Sequence, residues 1–563
     1  MKMLPIGFSD YKELIDGNFY YVDKTLLIDE LYHRGGKVTL VPRPRRFGKT
    51  LNLSMLKYFF EKTARSNAYL FEDKKIWGIP KMVQLQGKFP IIFVTFKDIK
   101  ESTWDVSRSK LVGIISQEYA RHSYLLDSDL LSDHEKDIFK NICTKTATTA
   151  EYHNSLLNLS QFLERYHQAK TIVLIDEYDS PIHAGYLNNY YSEIIEFTRG
   201  LLCAVLKDNS SLERGVVTGI LRTAKEGIFS GLNNLKIFTL LDEQLADKFG
   251  FTEKEIEQLL HNYNLESIAP EFKSWYNGYL IGKTKIYNPW SALNCADRSG
   301  DLIPYWANTS DNGLIKKIIA TSTTDIQDSC AELLHGNAVP NIEINDKMVL
   351  PGMINDSDSI WSLLLFSGYI TINQCVLNAK GKFICSLVLP NRELNSLFDD
   401  LVTALFKEGL EHKNIIALGH ALRDADGELF SILLSKFMIQ SISCHDLHDT
   451  EPEKSYHLFV LGMLVVYSES YTVRSNRESG YGRFDIMLIP HDKNRPGIVI
   501  EFKKKDDKET MDQCANRALK QIKEKHYATE LRSQGIDKIA FFGIACHNKE
   551  VLLKQENEDK EHA

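Results

Sequence analysis

The sequence predicts an α/β protein with a parallel-sheet domain at the N-terminus, a helical middle region and a second α/β domain at the C-terminus. In roughly the first 250 residues, apolar runs alternate with helical patterns, which is typical of a parallel sheet. From there the pattern becomes helical, as in "TEKEIEQLLHNYNL". Short apolar runs return nearer the C-terminus. We therefore expect domains over 1–250, 251–444 and 445–563.

Four apolar runs are the expected strands of the N-terminal sheet. Each is nearly continuous, as in strands that are covered on both faces. They are "KVTLV" (37–41), "FPIIFVTF" (89–96), "KTIVLIDEY" (170–178) and "RGVVTGIL" (214–221).

The composition excludes several classes of protein. A chain of 563 residues is too long for one core, and a net charge of −8 means that a nucleic-acid partner would be bound by local basic patches. The nine cysteines form no CxxC pair, which favours reduced thiols over a disulfide framework or a zinc site. The apolar runs, such as "LFVLGMLVVY", are about half a membrane span. We expect a cytoplasmic protein with no membrane partner.

A phosphate-binding loop is predicted in "VPRPRRFGKTLNLSML", which begins at Val41. A strand, a loop and a helix are the context of a P-loop, in which backbone N–H groups surround phosphates at a helix N-terminus. Gly48 would let the backbone approach, Lys49 would supply charge to the phosphates, and Thr50 would ligate Mg²⁺. Arginine stands at position 43, where the usual pattern has its first glycine. Taken alone, the segment could also be a basic turn that caps a helix.

A second acidic element follows in "TIVLIDEYDSP", an apolar strand that ends in Asp176 and Glu177. In this Walker B pattern, Asp176 would hold Mg²⁺ through water and Glu177 would polarise an attacking water. The carboxyl ends of strands are where α/β sheets bind ligands. An acidic pair in a capping turn is the alternative, which the upstream Gly-Lys-Thr disfavours. The two elements together predict an ATP–Mg²⁺ site.

Two further candidates lie in "VVTGILRTAKEG". Thr218 is at the polar end of an apolar run, where a sensor of the γ-phosphate would lie. Arg222 could contact phosphate from its own subunit or from a neighbour's, so a homo-oligomer is one expectation. A structural strand end is an equally good interpretation of both residues.

With these motifs the chain resembles a bacterial family that joins an AAA-ATPase-like domain to a C-terminal PD-(D/E)XK nuclease-like domain. The matching segments are "PIGFSDYKELIDGNFYYVDKT", "RPRRFGKTLNLSML", "VLIDEYDSP", "TGILRTAKEGIFSGLNNL", "WYNGY", "YNPWS" and "YWANTS". That family's loop also reads Arg-Pro-Arg-Arg-Phe-Gly-Lys-Thr, so the resemblance implies that Arg43 is the family's own form. Arg45 and Arg46 could add charge for the phosphates or solvate the outer face of the loop.

The segments "SNRESGYGRFDIMLIP" and "PGIVIEFKKK" hold a second group of candidate catalytic residues. Asp485 lies in one predicted strand and Glu501 in the next, and Lys503 shares a face with Glu501 because alternate strand residues do. Paired strands would let both carboxylates hold a divalent cation, while the lysine orients or deprotonates a water. Phosphodiester hydrolysis requires such an arrangement. However, "EFKKK" is also typical of a solvated strand end.

The surrounding elements support the catalytic interpretation. A predicted helix (453–468) precedes two strands around "HDKNRPG", and a helix (512–527) and the strand "KIAFFGIAC" follow. This order matches the restriction-endonuclease-like core, and the family resemblance extends to "SNRESGYGRFDI" and "ALKQIKEKHY". It implies that Glu453 is an additional metal-side carboxylate, Gln521 an auxiliary catalytic group and Tyr527 a packing residue. The ion would be Mg²⁺ or Mn²⁺, and the tail "KQENEDKEHA" is expected to fray.

The candidate phosphate-binding face consists of basic residues near the Asp485–Glu501–Lys503 motif, namely Arg474, Arg477, Arg483 and Lys503–Lys505. The C-terminal segment is otherwise nearly neutral, so binding to duplex phosphate should be modest and salt-sensitive. The middle region has no assigned chemistry. Its Gly-Lys-Thr at 282–284 lacks a feeding strand and a following long helix, and its aromatic residues are more typical of a core than of base stacking.

The leading hypothesis is an ATP-dependent or ATP-gated nuclease that acts on DNA or RNA. One alternative is a nucleotide-switched signalling or assembly ATPase whose C-terminal domain binds nucleic acid or protein without cutting. Another is a non-catalytic scaffold. The sequence leaves open which polymer is cut, whether cleavage is specific and whether ATP is hydrolysed or only sensed.

Overall fold

In a computed structural model the chain forms two compact units. One comprises Met1–Ile318 and Pro340–Leu394, and the other comprises Ile319–Val339 and Asn395–Ala563. The three-segment division at residues 250 and 444 remains a prediction. The structure describes residues 2–221, 233–306, 315, 318–319, 324–334, 336–345, 356–398, 420–422, 425–441, 471–475, 478–479, 482–483, 485–506, 508–547 and 550–559.

The described helices and strands are numbered here in chain order. The helices are α1 (Tyr11–Asp16), α2 (Leu26–Arg34), α3 (Lys49–Phe60), α4 (Pro80–Val83), α5 (Trp104–Arg121), α6 (Asp133–Thr144), α7 (Thr149–His167), α8 (Ser180–Leu187), α9 (Tyr191–Leu206), α10 (Glu253–Asn262), α11 (Ala269–Tyr276), α12 (Pro289–Asp297), α13 (Thr324–Leu334), α14 (Ser357–Ser367), α15 (Gly427–Ser441), α16 (Met511–Glu524) and α17 (Thr529–Ser533). The strands are β1 (Val38–Pro42), β2 (Ile91–Thr95), β3 (Thr171–Asp176), β4 (Leu212–Gly219), β5 (Leu235–Ile237), β6 (Tyr279–Ile281), β7 (Thr284–Ile286), β8 (Val339–Ile344), β9 (Thr371–Leu377), β10 (Phe383–Val388), β11 (Tyr471–Ser475), β12 (Glu478–Ser479), β13 (Gly482–Arg483), β14 (Ile486–Pro490), β15 (Gly497–Lys504), β16 (Lys538–His547) and β17 (Glu550–Asp559).

The N-terminal sheet is parallel throughout, with strand order β2-β3-β4-β1-β5. Every residue of β1 and β3 is buried, which explains their continuous apolar sequence. The predicted parallel sheet is confirmed, and β1–β4 coincide with the four predicted runs to within about two residues. The edge strand β5 was not predicted, since three residues are too few to show a pattern.

The edge strand β2 is covered by side chains of α5. The Phe93 N–H donates to Glu118 at 2.9 Å, and the Arg121 guanidinium donates to the Ile91 carbonyl at 2.5 Å. These two contacts satisfy backbone groups that would otherwise be free to pair with another chain.

The second Gly-Lys-Thr forms the turn of the β6–β7 hairpin. A short strand does precede it, but the next element is the returning strand and not a helix. Gly282 has a φ of +57°, and the Lys283 N–H donates to the Glu243 carboxylate at 2.5 Å. Thr284 Oγ1 donates to the same carboxylate at 3.0 Å. This Gly-Lys-Thr is therefore a hairpin turn and not a phosphate-binding loop.

The expectation that all cysteines are reduced thiols is wrong at Cys375 and Cys385, which form a disulfide. They lie directly opposite each other in the antiparallel β9–β10 pair, within the sheet β8-β10-β9. Cross-strand neighbours are close enough to bond, and cysteine spacing alone did not indicate the hairpin.

The C-terminal sheet has the order β11-β14-β15-β16-β17, in which β15 and β16 are parallel and the other pairs are antiparallel. The predicted strands around "HDKNRPG" are β14 and β15, and the predicted helix after them is α16. The expectation that the tail frays is wrong over 554–559, which lie in β17. The predicted helix at 453–468 lies outside the described residues.

The middle of the chain is helical, with α10–α15 interrupted by the β6–β7 hairpin and the three-stranded sheet. Among the described residues, the structure has no helix with the length and apolarity that a membrane span requires.

Candidate functional site

The loop after β1 starts at a fully buried arginine. Arg43 Nη1 donates to the carbonyls of Pro42, at 2.8 Å, and Phe238, at 2.7 Å. Burial lowers the pKa of Arg43 to about 10. This guanidinium is engaged by backbone carbonyls, and it joins the start of the loop to the segment after β5. The residue at the position of the usual first glycine is therefore an anchor of the loop.

The loop ends at Gly48, which has a φ of +79° and precedes α3. A side chain at this position would meet no atom within 4 Å, so the left-handed backbone and not a lack of space favours glycine. Lys49 is buried, and its Nζ donates to the carbonyls of Arg43, at 3.0 Å, and Pro44, at 2.9 Å. Burial lowers the pKa of Lys49, and the nearby charge of Arg45 acts in the same direction.

Asp176 is the centre of a buried network of hydroxyl groups at the carboxyl edge of the sheet. Its Oδ2 accepts from Thr50 Oγ1 at 2.8 Å and from Thr95 Oγ1 at 3.1 Å, and its Oδ1 accepts from Thr218 Oγ1 at 2.8 Å. Burial raises the pKa of Asp176, and the charge of Glu177 raises it further. The structure thus brings the predicted metal-side hydroxyl and carboxylate into contact.

Glu177 follows with a φ of +50°, a conformation that non-glycine residues adopt rarely. Its Oε2 accepts from Ser180 Oγ at 3.1 Å. Such backbone strain is concentrated at functional sites. Thr218, which we expected to sense the γ-phosphate, is fully buried, and its hydroxyl donates to Asp176; the sensor role stays a prediction. Arg222 lies outside the described residues.

Two residues of this site were missed by sequence analysis. Thr95 pairs with Asp176 in the β2–β3 register, and its position as the polar end of an apolar strand was a usable signal. Asp179 is buried, and its Oδ2 accepts from the N–H groups of Ile220, at 2.7 Å, and Leu221, at 2.8 Å. It therefore fixes the backbone just after β4.

The C-terminal candidates meet at one end of β15. Glu501 Oε1 accepts from Lys503 Nζ at 2.9 Å and from Gln521 Nε2. Asp485 lies just before β14, and its side-chain Oδ2 accepts from the backbone N–H of Phe502 in β15 at 2.7 Å. The structure therefore brings all four of the described candidates to one place.

A glycine in the neighbouring strand positions the glutamine. Gly543 pairs with Glu501 in the β15–β16 register. A Cβ at Gly543 would lie 2.5 Å from the carbonyl oxygen of Ala515, so the backbone of α16 packs directly on β16 at this point. This close approach brings Gln521 to Glu501. Glycine inside the apolar strand "KIAFFGIAC" was the signal that sequence analysis missed.

Glu501 has an unusual electrostatic environment. The side chain is buried, and its Oε2 has no hydrogen-bond partner among the residues that the structure describes. Burial and then the charge of Asp485 raise the pKa of Glu501 to about 8. A buried carboxylate oxygen without a partner is costly unless a cation or a proton is bound there. The donor set therefore fits a hard divalent ion.

Within the described ranges, no three histidine, cysteine, aspartate or glutamate side chains group together as metal ligands would. The third predicted ligand, Glu453, lies outside those ranges. Asp485 and Glu501 are the two predicted metal-binding carboxylates of this domain that lie within the described residues.

Two family models match the chain. One, described as a predicted AAA-ATPase, matches residues 5–229, and the other, the PD-(D/E)XK nuclease superfamily, matches residues 451–556. The chain joins an AAA-ATPase-like domain to a PD-(D/E)XK nuclease-superfamily domain. The family resemblance inferred from the sequence motifs is confirmed.

One relative is an uncharacterised protein from the vnfD 5′ region of Azotobacter chroococcum mcd 1. The two sequences are 25% identical in an alignment that spans 560 residues and that covers 95% of this chain and 94% of the relative. A solved Walker-type ATPase of Pyrococcus abyssi aligns with 71% of this chain and 98% of its own, with 11% identity and a TM-score of 0.33. That likeness is too distant to bear on the function.

Acidic residues pair with two of the six residues of the predicted basic face of the nuclease-superfamily domain. Arg474 contacts Glu530, and Lys503 contacts Glu501. Arg477 lies outside the described residues, and of Arg483 only the backbone, in β13, is described. Tyr527, expected only to pack, is buried and also accepts a hydrogen bond from Gln521 Nε2 at 3.2 Å.

Proposed function

We propose that this protein is an ATP-binding, metal-dependent nuclease. The AAA-ATPase-like domain binds ATP with Mg²⁺, and the nuclease-superfamily domain hydrolyses phosphodiester bonds in DNA or RNA. The observation that carries the proposal is the buried oxygen Glu501 Oε2, which has no hydrogen-bond partner within the described ranges and lies beside Asp485 and Lys503. Metal-assisted phosphodiester hydrolysis needs oxygen ligands that hold the ion and a positioned water, and the two carboxylates and the lysine could supply these.

The nucleotide half of the proposal rests on the contact between Thr50 and Asp176. These two oxygen donors would hold Mg²⁺, which would neutralise charge on the phosphates. Lys49 would exchange its contacts with loop carbonyls for phosphate oxygens. Glu177, which accepts a hydrogen bond from Ser180, would orient an attacking water. Arg45, close to Lys49, would add positive charge to the same pocket.

The nuclease half assigns one role to each side chain. Asp485 and Glu501 would hold Mg²⁺ or Mn²⁺, which would stabilise the charge that develops on the scissile phosphate. Lys503 would orient a water or receive its proton. Gln521 would keep the Glu501 carboxylate in place through its hydrogen bond. In the full chain, nucleotide state would gate cleavage.

A cleavage assay on the full-length protein with Mg²⁺ or Mn²⁺ tests the nuclease half. Asp485→Asn keeps a carbonyl oxygen for the Phe502 N–H but removes the charge, and it should abolish cleavage. Asp492→Asn is the matched control, because Asp492 lies in the exposed turn between β14 and β15. Equal cleavage by wild type and Asp485→Asn would overturn the proposal. Binding of nucleic acid without any cleavage would favour the nucleotide-switched binding protein instead.

Calorimetry with ATP–Mg²⁺ tests the nucleotide half. Lys49→Met should abolish binding, whereas Lys283→Met, in the other Gly-Lys-Thr, should leave it unchanged. Equal binding by Lys49→Met and wild type would refute the assignment of the loop. Gating predicts that ATP changes the cleavage rate of wild type and not that of Lys49→Met.

A further inference from the structure

Three aromatic side chains of the middle region lie against three consecutive residues of the phosphate-binding loop. The pairs are Trp306 with Arg45, Trp290 with Arg46, and Tyr279 with Phe47. Each aromatic residue comes from a different motif, "YWANTS", "YNPWS" or "WYNGY", to which no chemistry has been assigned. We call Tyr279, Trp290 and Trp306 the aromatic clamp.

Each contact of the aromatic clamp is specific in kind. The indole Nε1–H of Trp306 donates to the carbonyl oxygen of Arg45 at 3.2 Å. The guanidinium of Arg46 lies over the Trp290 ring, 4.4 Å from its centroid. Arg46 has a φ of +67°, a conformation that is strained for a non-glycine residue, so an external contact is needed to hold it.

The remaining loop residues are held in the same way. The rings of Phe47 and Tyr279 meet edge to face at 5.1 Å. A Cβ on Gly368 would lie 2.8 Å from Pro44 Cβ, so the end of α14 packs directly on the loop. Arg43 is anchored to the carbonyl of Phe238, so every residue from 43 to 47 has a contact outside the loop.

A buried carboxylate joins two parts of the aromatic clamp. Glu393 accepts from the Trp306 backbone N–H at 2.5 Å and from Ser291 Oγ at 2.8 Å. Ser291 directly follows Trp290 in α12. The two tryptophans are therefore held in a fixed relation by one fully buried side chain.

We propose that the aromatic clamp positions the phosphate-binding loop, with Trp306 as a positioning residue that acts through the Arg45 carbonyl. This loop has no glycine at its first position, so it lacks a flexible hinge at that end. The aromatic clamp then fixes the backbone conformation of the loop through contacts with other segments. The middle region then completes the nucleotide site and is more than a link between two domains. The role in phosphate binding rests on the proposed ATP site, whereas the positioning of the loop does not.

Amide hydrogen exchange of the nucleotide-free, full-length protein tests the clamp. Trp306→Phe keeps a ring but loses the indole N–H. Exchange of peptides covering 43–50 should become about 2- to 10-fold faster, as expected for one neutral hydrogen bond. The dissociation constant for ATP–Mg²⁺ should rise by a similar factor, with no change in exchange across β2 and α5. Trp275→Phe is the control, because Trp275 belongs to "WYNGY" but packs beside Tyr276.

A second pair of variants separates positioning from general packing. Trp290→Phe keeps an aromatic face under Arg46 and should behave like wild type, whereas Trp290→Leu should speed loop exchange. The exposed substitution Arg46→Gln removes the same contact from the loop side, so the test stands even if a tryptophan variant fails to fold.

Unchanged loop exchange in Trp306→Phe and Arg46→Gln would overturn the clamp, whether or not ATP binds. Wild-type protein that fails to bind ATP would overturn the proposed function instead, and the exchange rates would still decide the role of the clamp. Equal acceleration by Trp275→Phe would mean that the effect is general packing, which also overturns the proposal.

Discussion

Replacing Asp176 by asparagine separates the stability of the proposed nucleotide site from its affinity for ATP–Mg²⁺. The carboxylate is fully buried and accepts hydrogen bonds from the hydroxyls of Thr50, Thr95 and Thr218. An asparagine can keep this network. Its carbonyl oxygen can accept from Thr50 and Thr95, and its amide can donate to Thr218, whose hydroxyl is free to rotate.

The expected change in stability follows from the charge. Burial raises the pKa of Asp176 above 3.8, so the folded state disfavours the ionised form. The contribution of Asp176 to the free energy of unfolding is therefore present at low pH, and it is lost as the pH rises from 3.8 through the folded-state pKa. Each unit of raised pKa corresponds to about 1.4 kcal/mol. The asparagine variant does not lose this contribution at higher pH, but its poorer hydrogen bond lowers the free energy of unfolding by about 1 kcal/mol.

We therefore expect the free energy of unfolding of Asp176→Asn, without ligand, to stay within about 1 kcal/mol of wild type, with the difference shifting in favour of the variant at higher pH. ATP–Mg²⁺ at a hundred times its dissociation constant should stabilise wild type by about 2.7 kcal/mol and the variant by almost nothing. Denaturation at about pH 5 and about pH 8, with and without ATP–Mg²⁺, measures both. Asp137→Asn, exposed on α6, is the control.

Two results would refute this reasoning. A loss of more than about 2 kcal/mol without ligand would mean that asparagine cannot keep the hydroxyl network. An ATP–Mg²⁺ shift equal to that of wild type would mean that Asp176 does not hold the metal.

Three further predictions concern the loop anchor and the second site. Arg43→Met should lower the free energy of unfolding by about 2–4 kcal/mol, because it leaves the buried carbonyls of Pro42 and Phe238 without these donors. Urea denaturation measures this change. A loss of less than about 0.5 kcal/mol would contradict the role of Arg43 as an anchor of the loop. Gly543→Ala should force α16 away from β16 and lower nuclease activity at least about tenfold, with near-ultraviolet circular dichroism to follow packing; wild-type activity would show that the contact is not needed. Metal binding should release a proton from Glu501, so apparent affinity should rise with pH up to about 8 and then level off. The Glu501→Gln variant should not bind the metal, and its stability should no longer fall as the pH rises through about 8. Calorimetry in two buffers measures the proton released when wild type binds the metal. A metal affinity that does not depend on pH would contradict this site.

The parallel sheet could be predicted because its strands are continuously apolar, and the proximity of Thr50 to Asp176 because parallel strands end at one edge. The pairing of Asp485 with Glu501 followed in the same way from two strands joined by a turn. Each prediction rests on local periodicity and on the rules of strand pairing.

Other features depend on contacts between distant segments, which no local pattern encodes. Nothing near Arg43 in the sequence shows that its guanidinium is taken up by the carbonyl of Phe238, since that contact depends on the full packing of the domain. The meeting of Trp306 with Arg45 is of the same kind. Cys375 and Cys385 pair because of a hairpin that sequence analysis did not find.

The final strand has a consequence for the handling of this protein. β17 pairs along the whole of β16, whose residues from Ile539 to Cys546 are buried. Its own sequence, "EVLLKQENED", is rich in charge. A truncation before residue 550 would uncover a long apolar edge on which further molecules could add strands, and aggregation would follow even with every catalytic side chain intact. β17 therefore covers the apolar edge of β16 and leaves a charged strand at the margin of the sheet.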